Sequence, residues 1–212
     1  MKINFLGDSI TQGACATTPG KNYVSKVGEI LGCEVANFGV GGTRIAKRFG
    51  EDPFPEYFLL RAKKMRDADM VFVFGGTNDY GHGDAPFGTY EDKTSDTFCG
   101  AVRELTEYLI AKYGKEKLCY ILPLPRYNQD NPLGDGSWLI TSQRPALTCY
   151  VKAEKDILAE YGIDTIDLSD IFEIPEVDTP TELMQDGLHP NDKGHLLIAE
   201  RVAEYVRGKA SV

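Results

Sequence analysis

The sequence predicts a doubly wound α/β sandwich, a five-stranded parallel sheet covered by helices on both faces. Short apolar runs rich in β-branched or aromatic residues recur at 3–6, 35–38, 70–74, 118–122 and 163–168, each the length of a buried strand. Segments with helical spacing lie at 23–31, 58–65, 98–113, 147–161 and 196–206. Fully apolar strands that alternate with helices belong in a parallel sheet, because helical crossovers return the chain in the same direction and cover both faces. The expected architecture is a three-layer α/β/α sandwich of flavodoxin-like type, with residues 1–212 forming one domain.

The first run leads straight into Gly7-Asp8-Ser9-Ile10-Thr11. A strand that ends there and turns into a helix puts the Ser9 hydroxyl on the carboxyl edge of the sheet, where open α/β folds bind ligands. Taken alone, Ser9 reads as a helix cap, since a serine needs a base and oxyanion donors before it becomes a nucleophile. The second run opens into Asn37-Phe38-Gly39-Val40-Gly41-Gly42-Thr43, whose glycines let the backbone point N–H groups into a pocket. A phosphate-binding loop is the rival reading, but the Lys-Ser/Thr pair is missing and the GxGxxG spacing is incomplete.

The third run ends at Gly75-Gly76-Thr77-Asn78-Asp79, read as a turn in which the Asn78 amide can donate to a developing negative charge. After the fourth come residues 123–138, rich in Pro, Gly, Asn and Asp, with Arg126, Tyr127 and the single tryptophan, Trp138. This long loop either walls a substrate pocket or is a surface excursion anchored by its tryptophan. Gly114 and Gly162 stand where the helices at 98–113 and 147–161 should be capped.

Near the C-terminus, Asp186-Gly187-Leu188-His189-Pro190 sets an acid three residues before a histidine in a turn that Gly187 permits. Asp186 can hold one imidazole nitrogen while the other faces the Ser9 hydroxyl. Pro190 keeps His189 out of helical geometry, and Asn191 with Asp192 can cap the last helix. Without Ser9, such a pair would read as an ordinary helix cap.

Together the four blocks resemble the SGNH hydrolases, the GDSL-type esterases and lipases. The resemblance rests on Gly7-Asp8-Ser9, the NxGxxG of Asn37, Gly39 and Gly42, the GxND of Gly76, Asn78 and Asp79, and the DxxH of Asp186 and His189, in family order across nearly the whole chain. It implies Ser9 as nucleophile, the N–H groups of Ser9 and Gly42 with the Asn78 side chain as oxyanion hole, and Asp186 and His189 as the other triad members. It also implies a five-stranded parallel sheet and ester hydrolysis through an acyl-enzyme, with no metal and no organic cofactor. Ile10 replaces the family's usual leucine, and Thr11 stands where the second glycine of a GxSxG elbow would be, which disfavours the α/β-hydrolase fold. Short acyl esters, such as acetyl on a sugar or other polar alcohol, are the expected substrates, because the acidic chain lacks a large apolar lid. The competing reading is a flavodoxin-like module that binds phosphate, nucleotide or glycan without turnover; such a module has no use for Ser9, Asn78, Asp186 and His189 together.

Composition narrows the partners. With 212 residues, 42% hydrophobic, 26% charged and a net charge of −9, the chain is expected to be globular and to bind neither nucleic acid nor anionic membrane. A small-molecule ester is the expected partner; composition says nothing of oligomeric state. The five cysteines form no CxxC pair and read as reduced thiols. The start from Met1 to Ser9 leaves no room for a signal peptide, so a cytoplasmic location is expected. His82 is expected near the pocket mouth, and His195 as a packing or surface residue. Arg44 and the charges of residues 56–69 read as solvated, and Asp8 and Asp79 as tied to backbone N–H groups of their own turns.

Overall fold

The computed structural model describes residues 1–48, 56–131, 144–176 and 178–210. In chain order its elements are β1 (Lys2–Gly7), α1 (Ser9–Gln12), α2 (Tyr23–Leu31), β2 (Glu34–Gly39), α3 (Phe58–Ala62), β3 (Met70–Phe74), α4 (Thr77–His82), α5 (Phe98–Tyr113), β4 (Leu118–Ile121), α6 (Leu147–Tyr161), β5 (Asp164–Ile166) and α7 (Asp192–Ala210). The five strands form one sheet in the order β2-β1-β3-β4-β5, every neighbouring pair parallel. Strand order reverses beside β1, so the loops leaving β1 and β3 part to opposite faces and open a crevice at the carboxyl edge. Gly7 is in register with Gly39 on one side and Phe74 on the other, which brings the loops after these three strands out at one level.

Alternation along the strands fills both faces. Leu6, Val71, Val73, Leu118 and Tyr120 pack under α3, α5 and α6, while Ile3, Phe5, Phe72, Phe74 and Ile121 pack under α2 and α7. Helix α5 buries Phe98, Val102, Leu105 and Leu109, the three-and-four spacing of one helical face. The Phe5 and Phe72 rings stack at 5.2 Å between centroids, joining β1 to β3 on the second face.

The element bounds differ from the sequence reading in instructive places. Helix α7 begins at Asp192 rather than 196, because the Asn191 carboxamide oxygen accepts from the N–H groups of Lys193 (3.0 Å) and Gly194 (3.1 Å) and caps the helix earlier. Helix α3 stops at Ala62, where the Lys64 N–H turns to Arg61 O at 2.9 Å and tightens the last turn. The Gly75–Asp79 turn is in fact the start of α4, whose six residues are all buried. Gly, Asn and Asp are poor helix formers, and here burial overrides their propensity. Of the 123–138 loop, residues 123–131 are described; 132–138, with Trp138, lie outside the described residues. All five cysteines are free thiols, Cys99 and Cys119 buried. No helix among the described residues is long and apolar enough to cross a membrane.

Candidate active site

Ser9 opens α1, immediately after β1 ends. The Asp8 carboxylate caps the helix by accepting from Ile10 N at 2.9 Å, and Gly13 closes it in the left-handed region. This one-turn helix leaves the Ser9 hydroxyl facing the turn before α7. There, His189 Nε2 lies 2.9 Å from Ser9 Oγ, and His189 Nδ1 lies 2.7 Å from Asp186 Oδ2. The other carboxylate oxygen of Asp186 accepts from the N–H groups of His189 (2.7 Å) and Leu188 (3.0 Å). Burial alone would raise the Asp186 carboxyl, but the hydrogen bonds from His189 and Leu188 outweigh it and hold it near 2. An anionic carboxylate therefore faces the imidazole, which favours the tautomer with hydrogen on Nδ1 and a free lone pair on Nε2.

The turn is itself fixed. Gln185 N donates to His189 O at 2.8 Å, Asn191 N to Leu183 O at 2.9 Å, and Tyr127 N to Gly187 O at 2.8 Å, so the loop after β4 braces the turn that carries His189.

The two glycine-bearing loops meet Ser9 from the other side. Gly39 is required sterically, because a Cβ there would fall 2.2 Å from the backbone nitrogen of Gln12. That close approach lets Asn37 Nδ2 donate to Thr11 O at 2.6 Å and lets Gln12 Oε1 accept from Gly41 N at 2.7 Å. Gly42 adopts φ of 73°, which turns the chain beside Ser9. Asn78 and His82 are one helical turn apart in α4 and share the face toward the crevice. Asn78 Nδ2 donates one hydrogen to Thr43 O at 3.0 Å, which leaves its second N–H for another acceptor.

Ser9, Gly42, Asn78, Asp186 and His189 all line one cavity of about 450 Å³, together with His82, Arg126, Tyr127, Asp178 and Leu188. A second cavity of about 510 Å³, beside Pro123, Leu147, Val151, Phe172 and Ile174, touches none of those five.

Two arginines behind the loops, Arg44 and Arg61, escaped the sequence reading, while Arg126 lies in the loop expected to wall a pocket. Arg44, read as solvated, is buried; it donates to Gly42 O at 2.8 Å and pairs with Asp84 at 2.5 Å. Arg61, read as part of an exposed charged face, is also buried. It donates to Gly7 O (2.8 Å), Thr43 Oγ1 (2.7 Å) and Phe38 O, and lies against the Phe58 ring at 4.7 Å. Arg126 donates to Thr77 O at 3.2 Å and Thr77 Oγ1 at 3.0 Å, one residue from Asn78. Each guanidinium donates to carbonyls or hydroxyls of the loops at the sheet edge, and so stiffens that edge. Asp79 does the same with opposite sign: it accepts from Ile45 N (3.0 Å) and Ala46 N (2.8 Å), across the crevice rather than within its own turn. Burial raises both Asp8 and Asp79 to about 6 despite these bonds.

An α/β sandwich that sets a serine hydroxyl, an imidazole and a carboxylate in hydrogen-bonded sequence at its carboxyl edge has the make-up of a serine hydrolase. The profile of the GDSL-like lipase/acylhydrolase family matches residues 5–197, and the chain belongs to that family. It is 23% identical to an acetylxylan esterase of Xylanibacter ruminicola over 98% of this chain, and spans 43% of that protein's length. Its structure is similar to that of a protein from Lactobacillus plantarum, with a TM-score of 0.80 and 25% identity over 98% of this chain and 96% of that one. A possible lipase from Chitinophaga pinensis shares the fold, with a TM-score of 0.73 and 20% identity over 98% of each chain.

Proposed function

We propose that this chain is a serine esterase that cleaves carboxylic esters through an acyl-enzyme, with acetyl or similarly short acyl esters of sugars or other polar alcohols as substrates. The observation that carries the reading is the continuous line Ser9 Oγ–His189 Nε2–His189 Nδ1–Asp186 Oδ2, at 2.9 and 2.7 Å, opening on a cavity of about 450 Å³. His189 Nε2 takes the Ser9 proton as Oγ attacks the ester carbonyl, and Asp186 stabilises the imidazolium that forms. The oxyanion is held by the Ser9 and Gly42 N–H groups and the second N–H of Asn78. When the tetrahedral intermediate collapses, His189 returns its proton to the departing alcohol; water then repeats the sequence on the acyl-enzyme. None of these steps requires a cofactor.

Polar cavity residues, Asp178, Tyr127, His82 and Arg126, support a polar alcohol portion rather than a long alkyl chain. The acetylxylan esterase relative supports the same substrate class. The test is labelling with a fluorophosphonate probe, followed by turnover of acetylated sugars and p-nitrophenyl esters of rising chain length. Labelling of the intact protein but not of Ser9→Ala, with fastest turnover on acetyl esters, is the expected result. Absence of both labelling and turnover would move the chain to a binding role; fastest turnover on long acyl chains would overturn the substrate class.

A further inference from the structure

Cys15 takes no part in the proposed chemistry, yet it stands beside it. It lies in the turn that follows α1, and that turn is anchored on both sides. Ala14 N donates to Ser9 O at 2.9 Å, and Ala14 O accepts from His195 Nε2 at 3.0 Å. The anchored turn brings Cys15 Sγ, an Asp186 carboxylate oxygen and a His189 ring nitrogen within 4.8 Å of one another. Among the described residues this is the only group of three or more potential metal ligands so gathered, and all three side chains are partly open to solvent.

We propose that these three side chains form an inhibitory site for a thiophilic divalent cation of the zinc class, which shuts the esterase down by capturing its base. The donor set is one thiolate, one imidazole and one carboxylate, each a ligand type that zinc takes, with solvent as fourth ligand. Zinc bond lengths place tetrahedral ligand atoms roughly 3.3–3.8 Å apart, so seating the ion draws atoms that lie up to 4.8 Å apart together by about 1 Å and, where Nδ1 is the ligand, opens the 2.7 Å contact with Asp186, both within reach of side-chain rotation. On binding, the Cys15 S–H bond breaks, its proton passes to solvent, and the sulfur lone pair forms the metal bond. If the cation takes His189 through Nε2, it occupies the lone pair that receives the Ser9 proton. If it takes Nδ1, it replaces the bond to Asp186 that fixes the tautomer. Either mode removes the base without touching Ser9.

This regulation rests on the esterase reading, but metal binding can be measured apart from it. Zinc affinity is read by competition with a chromophoric chelator, and inhibition by hydrolysis of a p-nitrophenyl acetate substrate, in the wild type, Cys15→Ser and Cys15→Ala. The expected result is stoichiometric zinc binding by the wild type, inhibition reversed by EDTA, and zinc-free turnover unchanged in both variants. Their zinc affinity and their sensitivity to inhibition should each fall by about tenfold or more. Equal zinc affinity in wild type and variants would overturn the site, whatever the turnover. Zinc binding that depends on Cys15 in a protein showing no turnover and no fluorophosphonate labelling would instead keep the site and overturn the esterase reading.

Discussion

The cavity at the sheet edge and the interior just beneath it use the same residue types in opposite surroundings. In the cavity wall, the His189 side chain is 20% exposed and bonded to a carboxylate. In the first turn of α7, His195 is fully buried, accepts from Tyr23 N at 3.3 Å and donates to Ala14 O at 3.0 Å. Burial lowers the His195 pKa, and its two backbone partners suit only the neutral ring with hydrogen on Nε2. The carboxyls divide in the same way. Asp186 accepts three hydrogen bonds and is held near 2, whereas Glu154 of α6 is fully buried with no hydrogen-bond partner on either oxygen among the described residues and is pushed well above its ordinary value by burial. The difference teaches that partners, more than residue type, divide groups able to exchange protons in catalysis from groups locked in one state.

The contrast is most severely tested by removing the partnered members. His189→Ala and Asp186→Asn should each lower kcat on the order of 10⁴-fold, with little change in thermal midpoint. Retention of more than a tenth of wild-type turnover by either variant would show that the line of hydrogen bonds is not the reacting one. Asn78→Ala comes next: loss of one oxyanion donor should cost roughly 10²–10³ in kcat with KM nearly unchanged. Near wild-type kcat in that variant would remove Asn78 from the site.

The interior members should show the reverse signature. His195→Ala strands the Tyr23 N–H and Ala14 carbonyl, so it should destabilise by about 3 kcal/mol in urea unfolding while keeping most of its turnover. A loss of activity without a loss of stability would place His195 in the chemistry and erase the contrast.

The smallest effect concerns pH. A buried acid whose folded pKa is raised takes up more protons folded than unfolded, so stability is fully present below the unfolded value and declines as pH rises toward the folded one. Glu154 should produce such a decline above about 4.5, its ordinary value. Asp8 and Asp79 add to it between 3.8 and about 6. Replacing Glu154 with Gln should flatten the decline above pH 4.5, as measured by urea midpoints across that range. An unchanged slope in Glu154→Gln would mean that its carboxyl titrates alike in both states.

Much of this molecule was legible in the chain before any coordinates. Met70–Phe74, Tyr23–Leu31, Phe98–Tyr113 and Leu147–Tyr161 fall where hydrophobic period and caps put them, because those signals are local. The four motif blocks were legible for the same reason, since three are strand ends followed by residues suited to a sharp turn and the fourth is the turn before the last helix. Helix α4 was not, because its glycine, asparagine and aspartate favour turns in isolation and only its complete burial makes it helical.

The sequence by itself determined the alternation of five strands with helices α2, α3, α5, α6 and α7, and pointed to Ser9, Gly42, Asn78, Asp186 and His189, which line one cavity at the sheet edge. Tertiary structure alone decided which charges lie inside and what stands beside the pair: Arg44 and Arg61 behind the loops, Glu154 buried in α6, and Cys15 within reach of His189 and Asp186. Apolar periodicity announces burial through the repeat of a single element. A buried arginine or a neighbouring thiol depends on carbonyls and ligands supplied by segments far away in the chain, and no local pattern records them.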